Sequence, residues 1–224
     1  EDKPVTGWGE MLHTLAQGDA VCCAAHRADC PFPQEMRYEL PGLVIDNCAM
    51  AGRSSKTFRE EGRLDDIAAH IRPGDLLVVS FGHNDANRAK AERYVPADAF
   101  GESLRPFWDA ARSHGAVCIF ASPVAMREFD GAGVCHPSFA AYREAMRAFA
   151  AEVGAPFIDL GAATAAANTA FGAERCKARY MWVGAKQDNA HQQNAGACRT
   201  AQAFVQQLLQ DTTPALDVLR ANFK

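Results

Sequence analysis

Two short runs of apolar residues without alternation constrain this chain most. Leu76-Leu77-Val78-Val79 and Val117-Cys118-Ile119-Phe120-Ala121 carry no polar residue at every second position. A strand with one face in water alternates; a strand covered on both faces does not, and that is the habit of parallel sheets. Leu43-Val44-Ile45 and Pro156-Phe157-Ile158-Asp159 read as two further strands, with a short one at Ala20-Val21-Cys22-Cys23. Between them lie helical patterns. Phe139, Tyr142, Met146, Phe149 and Val153 recur at spacings of three and four, as do Phe100, Leu104, Phe107 and Ala111. Pro106 inside the second run predicts a kink or a late helix start. Ala197, Ala201, Phe204, Val205 and Leu208 predict a helix near the end, and Trp8, Met11, Leu12 and Leu15 an opening one. Strands alternating with helices predict a doubly wound α/β fold, and residues 1–224 read as one domain.

In such folds the working residues collect on loops at the carboxyl ends of strands. Three runs fall there. In Asp188-Asn189-Ala190-His191 a carboxylate precedes a histidine by three residues. On one loop it can hold the imidazole by its Nδ1 proton and leave the other nitrogen as a general base. An uncoupled surface pair is the plainer alternative. Gly82-His83-Asn84-Asp85 follows the 76–79 strand. Asn84 there can donate to an oxyanion, although glycine, asparagine and aspartate also simply make turns. Ala51-Gly52-Arg53-Ser54 follows the first strand. Gly52 can offer its backbone N–H to the same oxyanion, or the segment is only a connection with Ser54 or Ser55 capping the next helix.

Taken in order, Gly7-Trp8-Gly9-Glu10, Asn47-x-Ala49-x-x-Gly52-Arg53-Ser54, Glu61-Gly62-Arg63, Gly74-Asp75, Phe81-Gly82-His83-Asn84-Asp85, Ser122-Pro123-Val124 and Asp188-x-x-His191 resemble the SGNH (GDSL-type) hydrolases. The resemblance is to their rhamnogalacturonan acetylesterase branch and spans most of the chain. It implies a flavodoxin-like doubly wound parallel sheet and a serine carboxylic ester hydrolase, a secreted carbohydrate O-acetylesterase acting on a pectic polysaccharide. His191 would be the base, Asp188 its orienting acid, and Gly52 and Asn84 the oxyanion donors. No cofactor and no metal is implied. Arg53, Arg88 and Arg127 become candidates to face uronate groups, and Trp182 to stack on a sugar ring. Surface charge and a core tryptophan are the plain alternatives.

One part of the pattern is missing. The family's nucleophile lies in a Gly-Asp-Ser run on a central first strand, and no such run occurs here; Gly18-Asp19-Ala20 has alanine in the serine's place. Ser80 and Ser122 end strands remote from that position. Such a strand would stand between those at 43–48 and 76–81, so a further segment or another chain is expected to complete the sheet. A catalytically inactive carbohydrate-binding member, or an esterase of small acyl or lipid esters, are the rival readings.

The net charge of −4 argues against nucleic acid as a partner, and no apolar run reaches the roughly 20 residues that span a bilayer. The eight cysteines are an even number, which suits an oxidising compartment. Cys22 and Cys23 are adjacent and do not readily bridge; Cys118 reads as a buried thiol; Cys176 and Cys198 bracket the Asp188–His191 run and are expected to pair. No Cys-x-x-Cys unit points to zinc. The chain opens at Glu1 without an initiator methionine. A removed secretion signal or a trimmed sequence each accounts for that start; with the cysteines, the expectation is a secreted or periplasmic protein.

Overall fold

In a computed structural model, the structure describes residues 5–16, 23–32 and 35–223. The strands are β1 (Cys23–Ala25), β2 (Met36–Leu40), β3 (Leu43–Asn47), β4 (Leu76–Val79), β5 (Val117–Ala121), β6 (Phe157–Ile158), β7 (Tyr180–Val183) and β8 (Lys186–Gln192). The helices are α1 (Trp8–Met11), α2 (Ser55–Glu60), α3 (Arg63–His70), α4 (Ala97–Ser113), α5 (Ala140–Val153), α6 (Leu160–Phe171), α7 (Ala173–Cys176), α8 (Asn194–Gln210) and α9 (Asp217–Asn222).

The parallel sheet predicted from the apolar runs is present, in the order β4-β5-β6. Its central strand shows why the runs lack alternation. Cys118 and Phe120 pack into one cluster with Phe100, Leu104 and Phe107 of α4 and Tyr142, Met146 and Phe149 of α5. Ile119 and Ala121 point the other way, against Leu160 of α6 and Phe204, Val205 and Leu208 of α8. Both faces are therefore dry, and each side chain from Cys118 to Ala121 is at most 4% exposed. Burying one such aliphatic or aromatic side chain contributes about 1.5–3 kcal/mol.

Several boundaries differ from the sequence reading. α4 runs unbroken through Pro106. Proline removes one helical hydrogen bond, yet the fully buried Phe100 and Leu104 before it and Phe107 and Ala111 after it hold one face against the sheet. The opening helix is one short turn of α-helix followed by a 3-10 turn over Leu12–Leu15. Of the short strand expected at 20–23, only Cys23 is seen, as the start of β1; Ala20 to Cys22 lie outside the described residues. The 43–47 strand exists, but it pairs antiparallel with β2, which pairs with β1 in turn. Among the described residues no strand pairs with β4 on the side away from β5. Cys176 and Cys198, expected to pair, are both free thiols. Cys176 is buried and turns its sulfur to the Asn168 carbonyl oxygen at 3.4 Å.

Candidate active site

The Asp188–His191 run is placed by a hairpin and not by a loop. It lies in β8, which pairs with β7 through an irregular register between Tyr180 and Trp182. In a regular strand, residues three apart face opposite sides. The irregularity and a local turn remove that obstacle. Asp188 Oδ1 accepts hydrogen bonds from the backbone N–H groups of Ala190 (2.8 Å) and His191 (2.9 Å). Its Oδ2 then accepts from His191 Nδ1 at 2.8 Å. Partial burial opposes ionisation of Asp188, but these three bonds and the nearby imidazole outweigh it and lower its pKa. The His191 side chain is 59% exposed and that of Asp188 20%. The carboxylate is thus set beneath a ring whose Nε2 reaches solvent.

The other two motifs are locked to each other. Ser54 caps α2, with Thr57 N–H donating to its Oγ at 3.2 Å and the Thr57 hydroxyl accepting from Ser54 N–H at 3.0 Å. Ahead of it Gly52 has φ of +79°, and Arg53 N–H closes a turn onto Met50 O. That third position of a turn favours glycine because a Cβ is strained there. In the second motif the Asp85 carboxylate is fully buried. It accepts from Ser55 N–H (2.9 Å), Ser55 Oγ (2.6 Å) and Gly82 N–H (3.0 Å). Burial raises the Asp85 pKa against those donors. Gly82 has φ of +132°, and a Cβ there would stand 2.4 Å from Pro123 Cγ, so no larger residue fits. Asn84 Nδ2 donates to Arg53 O at 3.0 Å. One amide hydrogen is thereby committed and the other remains for a ligand. The turn and the polar-donor readings of this motif coexist.

His83, between them, is packed edge-on against Phe139 at 4.7 Å. Burial, and then the neighbouring His191, pull its pKa down to about 4, so the ring is neutral at ordinary pH.

The four candidate substrate contacts fare differently. Arg88 is exposed, its guanidinium 5.9 Å from the Tyr94 ring. Arg53 is 30% exposed and forms a forked ion pair with Glu61 at 2.8 and 3.1 Å. Arg127 departs from the sequence reading. Its side chain is 11% exposed and donates to Ala173 O (2.8 and 3.1 Å) and Asn189 Oδ1 (3.3 Å), while its backbone N–H donates to Asn189 O at 2.8 Å. It braces β8 from below. Trp182 likewise donates its indole N–H to Asn189 Oδ1 at 2.8 Å, and its ring already carries Arg127 (4.6 Å) and Lys177 (4.8 Å). Ser122 is buried and donates to Asp159 while accepting from Gly161 N–H, so its hydroxyl is turned beneath α6.

Sequence reasoning missed Asp85, Ser55 and Asn189. Asp85 stood in the quoted motif, and a carboxylate directly after a buried strand was its signal. Asn189 had none, because its role depends on residues far along the chain.

The sequence matches the GDSL-like lipase/acylhydrolase family over residues 7–197. It is 35% identical to the rhamnogalacturonan acetylesterase RhgT of Bacillus subtilis, over 97% of this chain and 87% of that protein. It is 38% identical to YesY of the same organism, named a probable rhamnogalacturonan acetylesterase, over 69% of this chain and 71% of that protein. The crystal structure of the Bacillus subtilis protein YxiM superposes with a TM-score of 0.75 at 26% identity; 95% of this chain is covered, and the chain spans about half (52%) of that one. With a matched region that contains all three motifs, this chain belongs to the GDSL-like lipase/acylhydrolase family.

Proposed function

We propose that this protein is a carbohydrate acetylesterase that removes acetyl groups from a pectic, rhamnogalacturonan-like polysaccharide. The observation that carries the reading is the 2.8 Å Asp188–His191 bond under a solvent-facing imidazole, in a chain 35% identical to a rhamnogalacturonan acetylesterase. In the proposed reaction a serine hydroxyl attacks the acetyl carbonyl and gives its proton to His191 Nε2. Asp188 holds the Nδ1–H and stabilises the imidazolium. The tetrahedral oxyanion takes the Gly52 N–H and the second amide hydrogen of Asn84, a donor worth about 3–4 kcal/mol of barrier. The carbon–oxygen bond to the sugar then breaks, and the imidazolium proton passes to the departing sugar oxygen. Water repeats the cycle on the acetyl-serine and releases acetate.

The serine comes from outside these residues, from a further segment or another chain that also completes the sheet beside β4. Arg88 and Arg53 supply positive charge for an acidic polymer. Such a substrate lies outside cells, which supports a secreted or periplasmic location. The test is acetate release from acetylated rhamnogalacturonan by the natural protein and its His191→Ala variant. The variant is expected to lose roughly a thousandfold or more in kcat. Undiminished turnover by the variant rejects the mechanism. Binding of the polymer without acetate release by the natural protein favours an inactive carbohydrate binder, and turnover of lipid esters alone moves the substrate class.

A further inference from the structure

The β1–β2 connection, the end of β3 and α3 meet at one buried carboxylate. Glu35, just ahead of β2, is 5% exposed. Its Oε2 accepts from the Cys30 thiol at 3.3 Å. The Cys48 thiol, just past β3, is an electrostatic neighbour of the same carboxylate, with its sulfur turned to Asp46 O at 3.9 Å. Asp66 of α3 closes the group, and the ligand atoms of Cys30, Glu35 and Asp66 all lie within 4.8 Å of one another. Glu35 Oε1 is buried with no hydrogen-bond partner. Arg63 Nη1 stands 3.8 Å from it, an ion-pair distance beyond hydrogen-bond reach. A buried carboxylate oxygen left in that state is unfavourable, so it calls for a ligand.

We propose that Cys30, Glu35 and Asp66 form a binding site for a zinc-class divalent cation. One sulfur with two carboxylate oxygens, and a fourth position for water or the neighbouring Cys48 thiol, is a donor set of intermediate softness, which zinc accepts and calcium or magnesium does not. Arg27 pairs with Asp66 through Oδ2, which leaves Oδ1 for the ion. A thiol must lose its proton to ligate the ion, so binding releases protons. The donors come from the β1–β2 connection and from α3, which is why no short cysteine spacing announces them. The ion would staple these two segments together. From there Glu35, Arg63, Glu61 and Arg53 form a chain of ion pairs to the Gly52 turn.

The test is titration of the metal-free protein with Zn²⁺ against a chromophoric chelator, and with Co²⁺ followed by absorption. Neither readout depends on esterase activity. About one equivalent should bind with release of protons, and Co²⁺ should give a near-ultraviolet thiolate charge-transfer band. Cys30→Ser and Asp66→Asn should each weaken binding by roughly tenfold or more, while Cys135→Ser leaves it unchanged. Circular dichroism of each variant establishes that it folds, and Glu35→Gln serves if one does not. Absence of stoichiometric binding, or binding indifferent to Cys30 and Asp66, overturns the proposal.

Discussion

Replacing Asp85 should unlock the two turns that hold Gly52 and Asn84. The wild-type carboxylate is fully buried and accepts from Ser55 N–H, Ser55 Oγ and Gly82 N–H at 2.6–3.0 Å. In Asp85→Ala the Ser55 hydroxyl can still turn to Ser103 Oγ, 2.8 Å away. The two backbone N–H groups have no such recourse, and each orphaned donor costs about 1–3 kcal/mol. A small cavity adds to this, while relief from burying a charge subtracts. The net expectation is a loss of about 3–5 kcal/mol, or roughly 10 °C in Tm for a domain of this size. Asp85→Asn keeps the shape but sets an amide N–H against a backbone N–H, so a smaller loss is expected. The pH dependence supplies a second readout. Because burial raises the folded pKa of Asp85, its contribution is fully present below the unfolded carboxyl pKa and falls as pH rises through the folded value. The advantage of the wild-type protein over its Asp85→Asn variant should therefore be greatest in acid and narrow with rising pH. Urea unfolding followed by tryptophan fluorescence measures both. A loss below about 1 kcal/mol for Asp85→Ala, or an advantage that widens with pH, refutes the clamp.

Asp159 behaves oppositely. Burial opposes its charge, but Arg143, Arg147 and the Ala162 N–H together pull its pKa down to about 2. It should contribute about 2 kcal/mol above the unfolded value, lost as pH falls from about 4 through 2, and Asp159→Asn should remove that slope in acid unfolding. Arg127→Met should cost about 1–3 kcal/mol of stability by orphaning Ala173 O, while Asn189 Oδ1 keeps the Trp182 indole N–H. It should also lower kcat more than it raises KM, because it supports the strand carrying His191 and does not grip substrate; a rise in KM alone would return Arg127 to the substrate-binding role.

The apolar runs at 76–79 and 117–121 made the parallel sheet legible, because dryness on both faces is a local property of composition. The helix faces at 100–111 and 139–153 were legible for the same reason. The pairing of β3 was not, since an antiparallel partner at 36–40 leaves no mark on residues 43–47. Pro106 misled because propensity is local while the packing that overrides it comes from a distant sheet. The motif residues Asp188, His191, Asn84 and Gly52 were also visible in the chain. Their arrangement was not: a strand with a register shift replaces the expected loop, Asn84 commits one hydrogen to Arg53 O, and Arg127 is taken up in bracing β8.

The amino-acid order alone thus determined the class of fold and the residue types at the site, since both are written in short windows. Tertiary structure alone decided which polar atoms are committed and which stay open, including the Cys30, Glu35 and Asp66 cluster and the free thiols of Cys176 and Cys198. Whether a donor or thiol has a partner depends on atoms brought together from remote parts of the chain, and no local window contains them.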